Sequence, residues 1–201
     1  MKTMWKDTLI LFVITLFAGL ILSAVYEVTK EPIAAQEEKA RQEAFAEVFE
    51  SAEHFETVEL TDADTVLADA GITGVTINEA VQALGSDGQV LGFCVTATSH
   101  EGYGGDIKLT VGVNLDGSLN GISILEISET AGLGMRAEEV LKPQFAGKNA
   151  EQFEVTKSGA TAENQIDAIS GATITSKAVT KAVNGSLTLF RTVLLGGDTN
   201  E

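Results

Sequence analysis

Ile107-Lys108-Leu109-Thr110-Val111-Gly112-Val113-Asn114-Leu115-Asp116-Gly117 is the stretch that decides the fold. Ile107, Leu109, Val111, Val113 and Leu115 occupy alternate positions, the period of a strand that buries one face. Asp116-Gly117 then turns the chain, and 121–127 returns as the antiparallel partner. Upstream, 76–84 and 89–97 flank Gly85-Ser86-Asp87-Gly88, a second hairpin signal. Between 57 and 74 the pattern predicts a short helix and loop, with a brief strand at 57–60. Residues 136–145 read as helix despite Pro143, and 153–156 as a last strand. Two amphipathic helices flank these strands. Pro32 opens one, with Ile33, Ala40, Ala44, Phe45, Val48 and Phe49 on one face. The other carries Ile174, Ala178, Ala182, Leu187, Phe190 and Leu194 at steps of three to five. The expected class is α+β, an antiparallel sheet with flanking helices behind an N-terminal transmembrane helix. No internal repeat or low-complexity tract is read.

Residues 8–25 form an uncharged apolar run, and at roughly 1.5 Å per residue it nearly spans a bilayer core of about 30 Å. Trp5 and Tyr26 stand at its ends, where aromatic belts lie. It is longer than the apolar region of a signal peptide, and no small-x-small cleavage site follows. Lys2 and Lys6 on the near flank, against Glu27, Lys30 and Glu31 on the far one, place the N-terminus in the cytoplasm. The expectation is a single-pass protein of the cell membrane: 1–28 as anchor, 29–201 as an extracytoplasmic domain.

Composition mostly excludes. Beyond the span, 11 basic residues face 28 acidic ones, a charge of −17 that repels nucleic acid and anionic lipid. The single Cys94 rules out an internal disulfide or an all-cysteine cluster, and its strand-like setting suits a buried structural thiol. His54 and His100 show no metal-ligand spacing. Electron transfer by such a chain requires a borrowed organic cofactor or an unusual metal site.

The chemistry-bearing stretch is Asp167-Ala168-Ile169-Ser170-Gly171-Ala172-Thr173-Ile174-Thr175-Ser176, just ahead of the C-terminal helical pattern. A helix start offers unpaired N–H groups and the positive end of the macrodipole, and Gly171 and Ala172 leave the backbone open to an anion. Lys177 follows in the first turn, where the dipole disfavours a cation unless an anion sits beside it. The same residues also suit an ordinary Ser/Thr cap followed by a solvated lysine. Two glycine-rich loops lie at strand ends, Gly102-Tyr103-Gly104-Gly105-Asp106-Ile107 and Glu129-Thr130-Ala131-Gly132-Leu133-Gly134. Alone, each is equally a tight turn.

Asp167-x-x-Ser170-Gly171-Ala172-Thr173 resembles the acceptor motif at which a flavin transferase, using FAD, esterifies FMN phosphate to the last hydroxyl. With both loops and the N-terminal span, the chain resembles the G subunit of the Rnf ion-translocating ferredoxin:NAD oxidoreductase complex. The C subunit of the sodium-pumping NADH:quinone oxidoreductase is a close relative of that family. Asp106 and Ala131 stand where such proteins often have proline, so looser loops are expected.

The resemblance implies an electron-transfer subunit with covalent FMN on Thr173 rather than a complete enzyme, partnered by the other membrane subunits of the complex. It implies a cofactor site built from Asp167, Ser170, Gly171, Ala172, Thr173, Thr175, Ser176 and Lys177. Tyr103, Gly104 and Gly105 would wall it on one side, and Glu129, Thr130, Gly132 and Leu133 on another. N–H groups near Thr175 and Ser176 would hold the phosphate, Lys177 would add a contact, and loop N–H groups would meet the flavin's polar edge. No metal is expected. The alternatives are the C subunit of the quinone reductase and a cofactor-free extracytoplasmic binding or assembly module.

Overall fold

The computed structural model describes residues 2–196. They fall into two compact units, one ending at Gln42 and the other beginning at Glu43. The first unit is helical. Helix α1, Lys2–Val48, runs unbroken through Pro32, so the separate second helix expected there does not exist. Pro32 removes only its own N–H bond, and Glu31, Ala34, Ala35, Gln36 and Glu37 are good helix formers that carry the ladder onward. Ile33 points to the exterior, 53% exposed, instead of sharing a packed face. Within α1 an 18-residue window reaches a mean hydropathy of 2.6 with none of it buried, long and apolar enough to cross a membrane.

The second unit begins with the last turns of α1 and continues through β1 (His54–Val58), α2 (Ala63–Asp69), β2 (Val75–Leu84), β3 (Val90–Ser99), β4 (Ile107–Asn114) and β5 (Leu119–Ile127). These five strands form one antiparallel sheet in sequence order, with β1 three residues earlier than its predicted position. The expected helix at 136–145 is instead a 3-10 turn (Gly134–Arg136) and two single turns, α3 (Ala137–Val140) and α4 (Lys142–Phe145). Pro143 supplies no N–H, so the chain restarts there rather than extending one ladder. Strands β6 (Glu154–Thr156) and β7 (Gln165–Asp167) pair in parallel as a small second sheet, and β7 was not foreseen. Helix α5 (Thr173–Leu189) follows, ending in a π turn, Phe190–Leu194.

The sheet is covered on both faces. Phe93, Val95, Ala97, Leu109, Val111 and Ile122 share one core with Ala178, Ala182, Leu187 and Phe190. Each large buried side chain there contributes about 1.5–3 kcal/mol. Ile174, placed on that packed face by its spacing, is 52% exposed: it sits in the first turn of α5, before the helix reaches the sheet. The opposite face carries Val81, Ala83 and Cys94 against Phe45, Val48 and Phe49. Contact is close because β4 has no side chain at Gly112, where a Cβ would lie 2.8 Å from Val48 Cβ. Cys94 is fully buried, and burial pushes its thiol pKa up, as expected of a structural thiol.

Helix α5 is packed nearly all round, and Asn184 and Ser186 on it find partners within the fold, whereas the buried Thr180 hydroxyl has none among the described residues. Ser186 Oγ donates to the Ala182 carbonyl at 3.0 Å. Asn184 accepts from Phe153 N–H at 2.8 Å and donates to its carbonyl at 2.9 Å, fixing the segment that enters β6. The N-terminal end of this rigidly held helix carries the candidate site.

Candidate functional site

The turn before α5 explains its own sequence. Ala172 N–H bonds to the Ile169 carbonyl at 2.9 Å, so residues 169–172 close a turn whose third position, Gly171, has φ +79°. The loop after β5 repeats this device: Leu133 N–H bonds to the Thr130 carbonyl at 3.1 Å around Gly132, φ +76°. Both turns need a residue that accepts positive φ, which glycine does without strain. The two are neighbours, since a Cβ on Gly171 would lie 3.1 Å from Leu133 Cδ2.

Between them opens a cleft of about 750 Å3. Tyr103 from the first loop lines it, as do Glu129, Thr130 and Leu133 from the second and Ser170 to Thr175 from the turn and first residues of α5. Three stretches separated by up to some seventy residues in the chain thus face one space. Its volume lies in the range of about 300–1,000 Å3 typical of cofactor sites. The walls mix apolar groups (Leu133, Ile169, Ile174 and the Tyr103 ring) with hydroxyls and backbone.

Thr173 is the first residue of α5, behind an N-cap, Ala172, that makes no side-chain capping bond. No acidic side chain occupies the first turn. Residues Thr173, Ile174 and Thr175 therefore present N–H groups that the helix itself cannot pair. Ser176 N–H is already bonded to the Ala172 carbonyl at 3.0 Å, so the anion donors start two residues earlier than the sequence suggested.

The hydroxyls differ sharply in availability. Thr173 is half-buried on the cleft wall and Ser170 is exposed on the turn. Thr175 is 1% exposed. Ser176 Oγ is buried, accepting from Ile169 N–H at 3.0 Å and donating to the Ala172 carbonyl at 2.9 Å. It braces the turn.

Other expected site residues lie outside the cleft walls. Asp167 works structurally: its carboxylate accepts from Ala160 N–H at 2.6 Å, and its backbone is bracketed by the Gln144 amide. Lys177 is exposed and does not line the cleft, whereas Lys157, just after β6, does. Gly104, Gly105 and Gly132 do not line the cleft; Gly105 and Gly132 serve their loops through positive φ. The N–H groups of Tyr103 and Gly104 are bonded to Glu129, so these two do not face a ligand. Asp106, in place of proline, lies 3.0 Å from the His100 ring Nδ1, a contact that is an ion pair only when the imidazole is protonated.

Sequence reasoning missed Gly134, Lys157, Ala168, Ile169 and Ile174 as walls. It also missed that Ser158-Gly159-Ala160-Thr161 repeats the tetrapeptide Ser170–Thr173. The fold separates the copies: Thr161 is exposed, its N–H and hydroxyl both engage Gln165 Oε1, and it does not line the cleft.

The class follows from this geometry and from a family model described as the FMN-binding domain, which matches residues 102–188. A second model, the RnfG N-terminal region, matches residues 1–48. The G subunit of the Na(+)-translocating ferredoxin:NAD(+) oxidoreductase complex of Acetobacterium woodii is 36% identical, over 94% of this chain and 93% of that one. The G subunit of the proton-translocating counterpart from Clostridium ljungdahlii is 35% identical, over 83% and 80%. The corresponding G subunit of an ion-translocating oxidoreductase complex from Aliivibrio fischeri is 30% identical, over 96% and 92%. The crystal structure of Shewanella oneidensis NqrC, 21% identical, aligns over 57% of this chain and 58% of that one with a TM-score of 0.47. The chain belongs to the RnfG family, the G subunits of Rnf-type ion-translocating oxidoreductase complexes.

The cleft suits FMN on its own chemistry. An uncapped helix start meets an anionic phosphate, and apolar walls with one aromatic ring meet a flat hydrophobic ring system.

Proposed function

We propose that this chain is the membrane-anchored electron-transfer subunit of an Rnf-type complex and carries FMN as a phosphoester on Thr173. One observation carries the reading: Thr173, an accessible hydroxyl, stands at the start of an uncapped helix inside the cleft where all three motif stretches meet. Bound there, the flavin supplies reversible electron transfer, chemistry that no side chain of this composition offers.

The protein's own residues attach, hold and shield. Thr173 Oγ1 is a poor nucleophile unaided, so an external transferase must activate it. In that reaction the Thr173 oxygen bonds to the FMN phosphorus of FAD, the pyrophosphate bond breaks, AMP leaves, and the hydroxyl proton goes to a base on the transferase. The phosphodiester keeps one negative charge, which the N–H groups of residues 173–175 and the dipole of α5 stabilise by about 0.3–1 kcal/mol. Lys157 and Lys177 add positive charge at that end of an otherwise acidic domain. Leu133, Ile174 and Tyr103 line the cleft and would cover the ring.

In this reading residues 1–28 are the anchor in membrane lipid with a cytoplasmic N-terminus, residues 29–201 are the extracytoplasmic flavin domain, and the other membrane subunits are the electron partners. Its test is co-expression with a flavin transferase and inspection of a denaturing gel under ultraviolet light. Wild type should fluoresce, Thr173→Ser should retain some signal, and Thr173→Val should lose it with its thermal unfolding unchanged. A fluorescent Thr173→Val band overturns the attachment.

A further inference from the structure

The two glycine-rich loops meet on a buried carboxylate. Glu129 is 8% exposed, and its Oε1 accepts from Tyr103 N–H at 2.7 Å and from Gly104 N–H at 3.3 Å. Glycines stand where side chains would collide with this carboxylate or its neighbours. A Cβ on Gly104 would lie 2.1 Å from the Ser128 carbonyl oxygen. One on Gly134 would lie 2.6 Å from Glu129 Cβ and 2.8 Å from Glu129 Oε2. Among the described residues, no cation forms an ion pair with this carboxylate. Glu129 and Tyr103 also share the wall of the cleft that holds Thr173.

We propose that Glu129 is a positioning residue. It latches the Tyr103 loop to the loop after β5, and it sets a fixed negative charge in the cleft wall that opposes adding electrons to a flavin held there. The latch stands on the hydrogen bonds alone; the effect on the flavin deepens the function proposed above and rests on it. Two N–H bonds to one carboxylate are charge-assisted and tie the tip of one loop to the base of the other. Lys157 lines the same cleft but makes no ion pair with Glu129, so the charge acts across the cleft in a setting less polar than water, where a like charge is felt more strongly. Reduction by two electrons and one proton leaves an anionic hydroquinone, so the carboxylate holds the reduction potential below that of a neutral wall.

The test uses full-length protein in detergent, with Glu129→Ala and Glu129→Gln. In apo protein, amide hydrogen exchange of the 102–105 segment should be about tenfold faster in Glu129→Ala, since the lost bonds free the loop to open. In Glu129→Gln it should stay near wild type, because the amide oxygen still accepts. If Glu129→Ala does not fold, Glu129→Asp, one methylene shorter, reads the same loosening. Unchanged exchange in the folded variant overturns the latch. In protein loaded by co-expression, spectroelectrochemical titration should find a higher flavin midpoint potential in Glu129→Gln than in wild type. An unchanged or lower potential there, with the 102–105 segment still protected, overturns the charge effect. A wild-type preparation without covalent fluorescence would count against the flavin assignment instead, and the apo exchange would still decide the latch.

Discussion

Gly134→Ala places a methyl group where three atoms already stand. The added carbon would lie 2.6 Å from Glu129 Cβ, 2.7 Å from Thr175 Oγ1 and 2.8 Å from Glu129 Oε2. Favourable contact distances are about 3.5–4.0 Å, so each neighbour must retreat by roughly an ångström. Neither can do so easily: Glu129 is 8% exposed and Thr175 1%. Gly134 does not use positive φ, so alanine suffers no backbone strain and the cost is steric. Overpacking of this kind costs about 1–3 kcal/mol, against a gain of about 0.4–1 kcal/mol from a stiffer unfolded chain. The mid-range net loss of about 1.3 kcal/mol corresponds, for a domain of this size, to a Tm about 3–5 °C lower. Gly121→Ala is the control, because a Cβ there meets nothing within 4 Å. Calorimetry of the two variants in detergent decides. Equal melting of Gly134→Ala and Gly121→Ala, both at the wild-type temperature, would refute the crowding that shapes this loop.

Two further expectations concern other parts of the molecule. Burial raises the Glu47 pKa, but hydrogen bonds from Lys142 and Ser123 outweigh it and leave the pKa below 4.5. The stabilisation is therefore present above about pH 4.5 and lost as acid protonates the folded carboxylate. Glu47→Gln should cost no more than about 1 kcal/mol near neutrality, and urea titrations should show the difference vanishing at low pH; a difference that persists in acid contradicts this. Protease added to right-side-out vesicles should cut the domain beyond residue 28 and spare the N-terminus; the reverse pattern would invert the proposed topology.

How much of this was legible in the sequence depended on the kind of information each element carries. The alternation of Ile107, Leu109, Val111 and Val113 and the two turn signals sufficed for the sheet, because period and turn chemistry are local. Strand β7 left no such trace: Gln165-Ile166-Asp167 has one apolar residue, and its pairing with β6 is set by tertiary packing. Pro32 misled because a missing N–H is a weak veto when good helix formers carry the ladder past it. At the site, Thr173 and the glycine turns could be named from motifs. That Glu129 would spend its carboxylate on Tyr103 and Gly104, 26 and 25 residues away, could not, since nothing local encodes that meeting. Nor could Lys157, which follows β6 and lines the cleft although no motif marks it.

Peptide mass spectrometry of the full-length protein, co-expressed with a flavin transferase, tests the attachment of FMN to Thr173 most directly. The digest must separate the 158–161 copy of Ser-Gly-Ala-Thr from the 170–173 copy. One FMN phosphoester adduct is expected, on Thr173. An adduct on Ser170, Thr175, Ser176 or Thr161 with Thr173 unmodified would contradict it.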